Sequence, residues 1–352
     1  MARGSSRMQV AVLMGGPSSE HDVSLQGGKN VVDALDLRRF DVWPVVIQRT
    51  GAWQVASKPW AGSEGGFDPH AGAGWRSFEG TCEALVHLRS LRIEAVLPIL
   101  HGRFGEDGTL QACLEAAGLP FVGSDARGSA GAADKIRTKE VLGFHGIATP
   151  RFEVVPPESL RGLAALSDRL VASFGLPLVV KDPLGGSTLE VRVCADAAQV
   201  TNALAELGPK AERLLVEAYV PGRELTVAVL GLREGEAPVA LPVIEIRPRR
   251  SQHFDYAEKY GQDGAEELCP APLEPEVARE AQSIALRVHA LLGLRAISRT
   301  DLMLGADGRL QVLETNTMPG MTARSLVPRA AAATGMAFPA LVEGLLRTAA
   351  RA

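Results

Sequence analysis

Cysteines are few in this sequence, and their spacing gives no pairs. The four of them, Cys82, Cys113, Cys194 and Cys269, are scattered along the chain, and no two have C-x-x-C spacing. This pattern excludes a disulfide framework. Reduced thiols are typical of a cytoplasmic protein, and we expect that location here.

Long apolar runs and a dominant charge sign are also missing. The chain contains no run of about 18 uninterrupted apolar residues and no early apolar stretch comparable to a signal-peptide core, so we expect neither a membrane span nor export. The 37 basic and 41 acidic residues give a formal charge of −4, which supplies no general field for a nucleic acid or an anionic membrane. Any anionic ligand must therefore be held by local cations.

What is present fits a globular protein with more than one domain. The 352 residues suffice for two or three buried cores. In the first third, the apolar runs Gln9–Met14, Val42–Ile47 and Ala95–Leu100 alternate with the helical stretches Leu25–Leu35 and Gly108–Ala117. This alternation predicts parallel strands with crossover helices, an α/β fold.

Two further α/β units follow, so the predicted domains are residues 1–123, 124–217 and 218–352. The stretch from Arg49 to Arg76 has no sustained period and indicates a surface insertion. A helix is predicted from Ala130 onward. The irregular segment Arg247–Pro272 is typical of a lid, and Ala306-Asp307-Gly308 predicts a hairpin.

Oxygen-bearing side chains mark the strands of that hairpin. Strand alternation puts Glu314 and Asn316 on one face, and the hairpin can bring Asp301 beside them. Such a set suits Mg²⁺, although a solvated polar strand end is the alternative. Lys181 ends an apolar strand just before the loop Gly185–Thr188, which could cradle phosphates or be an ordinary turn.

Three long blocks carry a resemblance to a known family. They are Gly15-Gly16-Pro17-Ser18-Ser19-Glu20-His21-Asp22-Val23-Ser24, Leu100-His101-Gly102-Arg103-Phe104-Gly105-Glu106-Asp107-Gly108, and Glu314-Thr315-Asn316-Thr317-Met318-Pro319-Gly320-Met321-Thr322 continuing to Ser325-Leu326. In this order they closely resemble the D-alanine–D-alanine ligases of the ATP-grasp superfamily. The resemblance implies a three-domain ATP-grasp fold with an N-terminal parallel-sheet domain, and ATP between the central and C-terminal domains.

The resemblance also implies a reaction and a set of site residues. ATP would phosphorylate one D-alanine, and the amine of a second would attack the acyl phosphate, giving the dipeptide for peptidoglycan, ADP and phosphate. Lys135, Lys181 and Lys259 would bind the ATP phosphates, and Asp301, Glu314 and Asn316 would hold two Mg²⁺ or Mn²⁺ ions. The adenine would lie against the segment Glu217, Ala218, Tyr219 and Val220, and the ribose would meet Glu224.

The remaining implied residues concern the amino acids and the lid. Arg299 and the Gly320 N–H would stabilise the tetrahedral intermediate. Glu20 and His101 would receive the first D-alanine, and Ser325 and Leu326 the second. Ser187 and Tyr260 would bond toward Glu20 when the lid closes. The family also implies a homodimer.

Departures from the family pattern leave alternatives open. Asp182 follows Lys181 where proline is usual, Glu190 replaces a glycine, and Tyr219 stands where tryptophan is common. Another ATP-grasp amino-acid ligase, or a nucleotide-binding relative with reduced turnover, therefore stays possible. We expect Glu190 to turn outward, toward Arg192 or another cation, because a carboxylate facing ATP would penalise every turnover.

Overall fold

The structure is a computed structural model and describes residues 7–71, 74–185, 190–233, 235–248, 265–322 and 324–349. Three of the expected site residues, Ser187, Lys259 and Tyr260, lie outside the described residues, as does most of the expected lid.

The N-terminal sheet is built around β1, which pairs in parallel with a strand on each side. Every residue of β1 from Val10 to Met14 is fully buried, because helices cover both faces of the parallel core. The strands lie in the order β4-β3-β2-β1-β5. They are β1 (Met8–Gly15), β2 (Phe40–Ile47), β3 (Trp53–Ala56), β4 (Trp75–Phe78) and β5 (Ala95–Ile99), with helices α1 (His21–Ala34), α2 (Thr81–Ser90) and α3 (Thr109–Ala117).

The expected surface insertion after residue 49 is wrong in part. The short strands β3 and β4 pair antiparallel and extend the sheet beyond β2. Trp53 is fully buried in the core that also holds Val45 and Leu88. Aromatic burial therefore folds a stretch whose runs are too short to show a period.

The central unit carries a four-stranded sheet in the order β6-β9-β7-β8, with antiparallel neighbours. The single helix expected from Ala130 is two helices, broken at Asp134. The Asp134 carboxylate accepts hydrogen bonds from the N–H groups of Ile136 and Arg137 and so caps the second helix. The elements are α4 (Ala126–Ala133), α5 (Lys135–Phe144), β6 (Phe152–Val155), α6 (Leu163–Phe174), β7 (Leu178–Lys181), β8 (Val191–Cys194), α7 (Ala197–Leu207) and β9 (Leu214–Ala218).

The C-terminal unit is an antiparallel sheet in the order β13-β12-β10-β14-β15, with β11 paired to β10. Its last two strands form the predicted hairpin. The elements are β10 (Gly222–Leu230), β11 (Val239–Ala240), β12 (Ile244–Arg247), β13 (Glu266–Leu268), α8 (Pro275–Leu291), β14 (Ile297–Gly305), β15 (Leu310–Asn316), α9 (Leu326–Ala333) and α10 (Phe338–Ala349).

The last helix joins the two ends of the chain. Leu341, Leu345 and Leu346 of α10 are fully buried in one core with Val31 of α1 and Ile99 of β5. The hydrophobic core of the N-terminal sheet thus includes residues from the C-terminal helix α10. None of the described helices has the length and apolar character needed to cross a bilayer.

Candidate active site

A cavity of about 420 Å³ lies where the three units meet. The loop after β5 contributes Arg103 and Glu106, the start of α5 contributes Lys135, and the end of β15 contributes Glu314 and Asn316. The segment Asp182–Gly185, which follows β7, forms another wall. Both signs of charge face one space, as binding of a polyanion together with cations would require.

The β14–β15 hairpin brings the expected metal ligands together. Asp301 lies opposite Glu314 in the strand register, and Arg299 lies opposite Asn316. The register shifts between Asp301 and Leu302, and such a bulge changes which way the following side chains point. The proximity predicted from the sequence is therefore present.

Arg299 and Asp301 form a buried ion pair. Arg299 Nε donates to Asp301 Oδ1 at 3.0 Å and Arg299 Nη2 donates to Asp301 Oδ2 at 2.8 Å. Thr226 Oγ1 of the neighbouring strand also donates to Asp301 Oδ1. Burial alone would lower the pKa of Arg299, but the Asp301 carboxylate outweighs it and raises that pKa above its usual value. The guanidinium is therefore held charged and fixed in orientation.

The donors present fit a magnesium or manganese site. Glu314 Oε2 lies 3.0 Å from Lys135 Nζ, a cation that an ion at this site would have to displace. The side-chain Nδ2 of Asn316 is buried without a hydrogen-bond partner in the described part of the chain, and the atom that this amide can offer a metal ion is its Oδ1. No group of three or more His, Cys, Asp or Glu side chains able to hold a metal occurs among the described residues. Any site here consists of two carboxylates and an amide.

Lys135 stands at the first position of α5 and points into the cavity. Its Nζ donates to the Gly185 carbonyl at 2.7 Å and pairs with Glu314. Burial opposes the charge, but Glu314, Glu217 and Asp182 outweigh it and raise the pKa of Lys135. The ammonium is thus favoured in its charged form and lies at Gly185, where the glycine loop begins.

Lys181 is tied to a carboxylate of the expected adenine segment. Glu217 of β9 pairs with Lys181 through Oε2 and with Lys139 of α5 through Oε1. Burial would raise the pKa of Glu217, but the two lysines lower it. No role was predicted for Lys139, although its position one helical turn after Lys135 was a signal for one.

Glu106 is a second residue without an assigned role. It is partly buried in the cavity wall, and its carboxylate accepts hydrogen bonds from the N–H groups of Gly102 at 2.8 Å and Met318 at 3.3 Å. It therefore links the loop after β5 to the segment after β15. Burial raises the pKa of Glu106 to about 7, and the Glu20 charge adds to the effect. Its presence in the second resemblance block was the signal.

The residues expected to meet the amino acids lie in two places. Glu20 and His101 are both buried, and Glu20 Oε2 would lie 3.8 Å from a β-carbon on Gly102, so the two loops that carry them adjoin. Ser325 is the residue before α9, and its Oγ accepts from the Thr322 N–H at 3.0 Å. Ser325 Oγ would also lie 2.8 Å from a β-carbon on Gly320. Leu326 begins α9.

The expected nucleotide segment spans the turn between β9 and β10. Glu217 and Ala218 end β9, Tyr219 and Val220 follow, and Glu224 lies in β10 opposite Met303. Among the expected residues that the structure describes, Lys135, Glu314 and Asn316 line the 420 Å³ cavity and the others do not.

The expected outward orientation of Glu190 is wrong. Its carboxylate folds over the α-carbon of Gly185, so that a β-carbon there would lie 2.1 Å from Glu190 Oε2. Burial and the neighbouring Asp182 raise the pKa of Glu190, and Arg103 opposes them. Arg192 pairs instead with Glu206 at 2.7 Å. The pairing of β7 with β8 returns the chain to Asp182, whose N–H donates to the Glu190 carbonyl at 3.2 Å.

Comparison with known proteins places the chain in a family. The family described as "D-ala D-ala ligase N-terminus" matches residues 9–124, and "D-ala D-ala ligase C-terminus" matches residues 141–347. The chain belongs to the D-alanine–D-alanine ligase family.

Relatives agree over nearly the full length. The D-alanine–D-alanine ligases of Bordetella petrii and Nitratidesulfovibrio vulgaris are each 39% identical, covering 97% and 96% of this chain and 92% and 97% of their own. The solved structure of the D-alanine–D-alanine ligase of Coxiella burnetii has a TM-score of 0.78 at 28% identity, covering 98% of this chain and 94% of its own. VanG D-Ala:D-Ser ligase of Enterococcus faecalis has a TM-score of 0.80 at 28% identity, covering 97% and 98%.

Proposed function

We propose that this protein joins two D-alanines to D-alanyl-D-alanine with the conversion of ATP to ADP and phosphate, through an acyl phosphate, for peptidoglycan synthesis. The observation that carries the proposal is the cross-strand set of Arg299, Asp301, Glu314 and Asn316 beside Lys135, in a chain of this ligase family. A carboxylate is a poor electrophile, and phosphorylation supplies the leaving group that it lacks.

The cations of the site would bind and orient ATP. Lys135, Lys181 and Lys259 would contact the phosphates, and the segment Glu217–Val220 together with Glu224 would hold the nucleoside. Asp301, Glu314 and Asn316 would hold Mg²⁺ or Mn²⁺. When bound, these ions would supply positive charge that offsets the charge developing during phosphoryl transfer.

The carboxylate that reacts would lie against Arg299. The ion pair with Asp301 leaves the guanidinium fixed in direction, so its remaining N–H groups can meet a developing oxyanion without reorganisation. The Gly320 N–H would be a second donor. Glu20 and His101 would receive the first D-alanine, Ser325 and Leu326 the second, and Ser187 and Tyr260 would close over Glu20.

A second candidate differs only in the second amino acid. The similarity to VanG, named a D-Ala:D-Ser ligase, favours testing D-serine as an acceptor. We further propose a cytoplasmic location, in keeping with four unpaired thiols, and a homodimer, in keeping with the family.

The deciding experiment is product identification. Purified protein is incubated with ATP, Mg²⁺ and D-alanine, alone or with D-serine or D-lactate, and the products are identified by mass spectrometry while ADP release is followed. We expect D-alanyl-D-alanine as the main product and ADP release that requires D-alanine. ADP release that is independent of D-alanine, or a main product other than the dipeptide, would refute the proposal.

A further inference from the structure

A buried cluster of three charges lies beside the cavity wall, since its member Lys181 immediately precedes the lining residue Asp182. Lys139 has no exposed side-chain surface, and the side chains of Glu217 and Lys181 are only 2% and 7% exposed. Each oxygen of the Glu217 carboxylate forms an ion pair with one lysine. The described contacts of Lys139 do not reach the 420 Å³ cavity, so it acts on any ligand there through its neighbours.

The surrounding elements hold this arrangement in place. Glu217 on β9 lies opposite Phe152 of β6 and Val179 of β7. This strand register fixes the position of Glu217 along the sheet. Lys139 reaches it from α5, donates to Thr149 Oγ1 and lies 5.7 Å from the centre of the Phe152 ring. Among the described residues, Glu217 is the one carboxylate that pairs with the Lys139 ammonium.

We propose that Lys139 is a positioning residue for the nucleotide: by neutralising one oxygen of Glu217, it keeps the Lys181 ammonium available to the ATP phosphates. A buried carboxylate with two cations binds each of them less tightly than a carboxylate with one. Without the Lys139 charge, the full attraction of Glu217 falls on Lys181 and competes with the phosphates. This inference rests on the proposed use of ATP.

The arrangement makes nucleotide affinity depend on pH. The charged groups that face Lys139 are Glu217 of β9, Lys181 of β7 and Lys135 of its own helix, which itself pairs with Glu314 of β15. Burial lowers the pKa of Lys139 to about 8, against the favourable pull of Glu217. Lys139 therefore loses its proton as the pH rises through about 8, and Lys181 is then held more tightly by Glu217.

Three variants test the inference by equilibrium binding of Mg-ATP without D-alanine. Lys139→Met keeps the length of the side chain and removes its charge, and Lys139→Arg keeps the charge at high pH. Arg137→Met is the matched control, since it removes one cation from an exposed position of the same helix, where Arg137 pairs with Glu140. Because binding is measured without ligation, a failure of the proposed dipeptide synthesis leaves this test intact.

We expect Lys139→Met to weaken Mg-ATP binding about tenfold at pH about 7, a cost of about 1.4 kcal/mol, with the Kd then flat up to pH about 9.5. Between pH about 7 and about 9.5, the wild-type affinity for Mg-ATP should fall toward that of Lys139→Met. At pH about 7, Lys139→Arg and Arg137→Met should bind Mg-ATP as the wild type does. Lys139→Arg should keep its affinity as the pH rises. Equal pH dependence in wild type and Lys139→Met would overturn the inference.

A milder change covers the case in which Lys139→Met does not fold. Thr149→Val removes the hydroxyl that accepts from Lys139 Nζ and leaves every charge in place. The Lys139 ammonium is then less well held, and loss of its proton becomes easier. We expect the pH midpoint of Mg-ATP binding to move downward. An unchanged midpoint in this variant would also overturn the inference.

Discussion

The two carboxylates proposed as metal ligands have different surroundings, so the same substitution should act differently on each. Glu314 keeps 28% of its side chain exposed, whereas Asp301 is buried and neutralises the buried Arg299. We predict that Glu314→Gln nearly abolishes dipeptide synthesis and costs less stability than Asp301→Asn, because Glu217 and Asp182 still face the buried Lys135 ammonium. Asp301→Asn should abolish synthesis and also cost about 3–5 kcal/mol of stability, because it leaves a buried cation unpaired.

Denaturant unfolding and turnover measured on the same samples check this prediction. A Glu314→Gln protein with wild-type kcat would remove Glu314 from the metal site. Equal stability of Asp301→Asn and wild type would show that the Arg299 pair contributes no net stability.

The orientation of Glu190 leads to a prediction opposite to that from the sequence. Because its carboxylate lies against Gly185, a residue of the cavity wall, it would repel ATP phosphates bound there. We predict that Glu190→Gly lowers KM for ATP at low salt and that the gain shrinks as salt screens the charge. Glu206→Gln is the control, since Glu206 is exposed, pairs with Arg192 and lies outside the cavity lining. A KM for ATP that is unaffected by Glu190→Gly would show that the carboxylate does not reach the nucleotide.

Side-chain direction could not be predicted from the sequence at this scale. The spacing of Asp301, Glu314 and Asn316 was informative because a tight hairpin fixes which residues face each other. The direction of Glu190 depends on how β8 returns along β7, and the importance of Lys139 depends on which strand α5 covers. Both are properties of the tertiary structure.

At the scale of elements, long periodic segments were predicted and short ones were not. The strands β1, β2 and β5 overlap the apolar runs that predicted them, and the helices α1 and α3 overlap the predicted helical stretches. The four-residue strands β3 and β4 were not predicted, because an alternation of apolar and polar residues over only four positions hardly differs from chance. The break between α4 and α5 was not predicted, because an aspartate can also lie inside a helix. Only the structure shows that the Asp134 side chain caps α5.

The contact between α8 and β14 makes stability depend on acid. His289 of α8 is buried, its Nδ1 lies 2.8 Å from Ser298 Oγ of β14, and burial lowers its pKa to about 4. Because the pKa of His289 is lower in the folded protein than in the unfolded chain, the unfolded chain binds the proton at a higher pH. Stability is therefore complete above pH about 6.5 and is lost as the pH falls to about 4, by about 3 kcal/mol.

We predict that His289→Asn, which keeps a hydrogen-bonding group near Ser298, flattens the pH dependence of the unfolding free energy between pH about 4 and about 6.5. Urea unfolding at several pH values measures it. Parallel pH curves for variant and wild type would place the acid sensitivity elsewhere.

At the scale of the whole molecule, each sheet is formed by consecutive strands, whereas one hydrophobic core combines residues from both ends of the chain. The first sheet is formed by β1 to β5, the second by β6 to β9 and the third by β10 to β15, so each uses strands that follow one another in the chain. The core of the first sheet nevertheless includes Val327 and Leu345 from the end of the chain. Such a return cannot be predicted from periodicity, which reports that a helix has an apolar face and not which sheet covers it.

This return makes the stability of the N-terminal sheet depend on a distant helix. Leu345 is fully buried against the core that contains α1 and β5, so we predict that Leu345→Ala costs about 2–5 kcal/mol. It should increase hydrogen exchange in β1 and β5, far away in the sequence. Val288→Ala is the matched control, because Val288 is equally buried but belongs to the separate core of α8, β10 and β14. It should loosen β10 and β14 and leave β1 protected. If Leu345→Ala loosens only the C-terminal sheet, α10 does not support the N-terminal one, and the first domain is stable on its own.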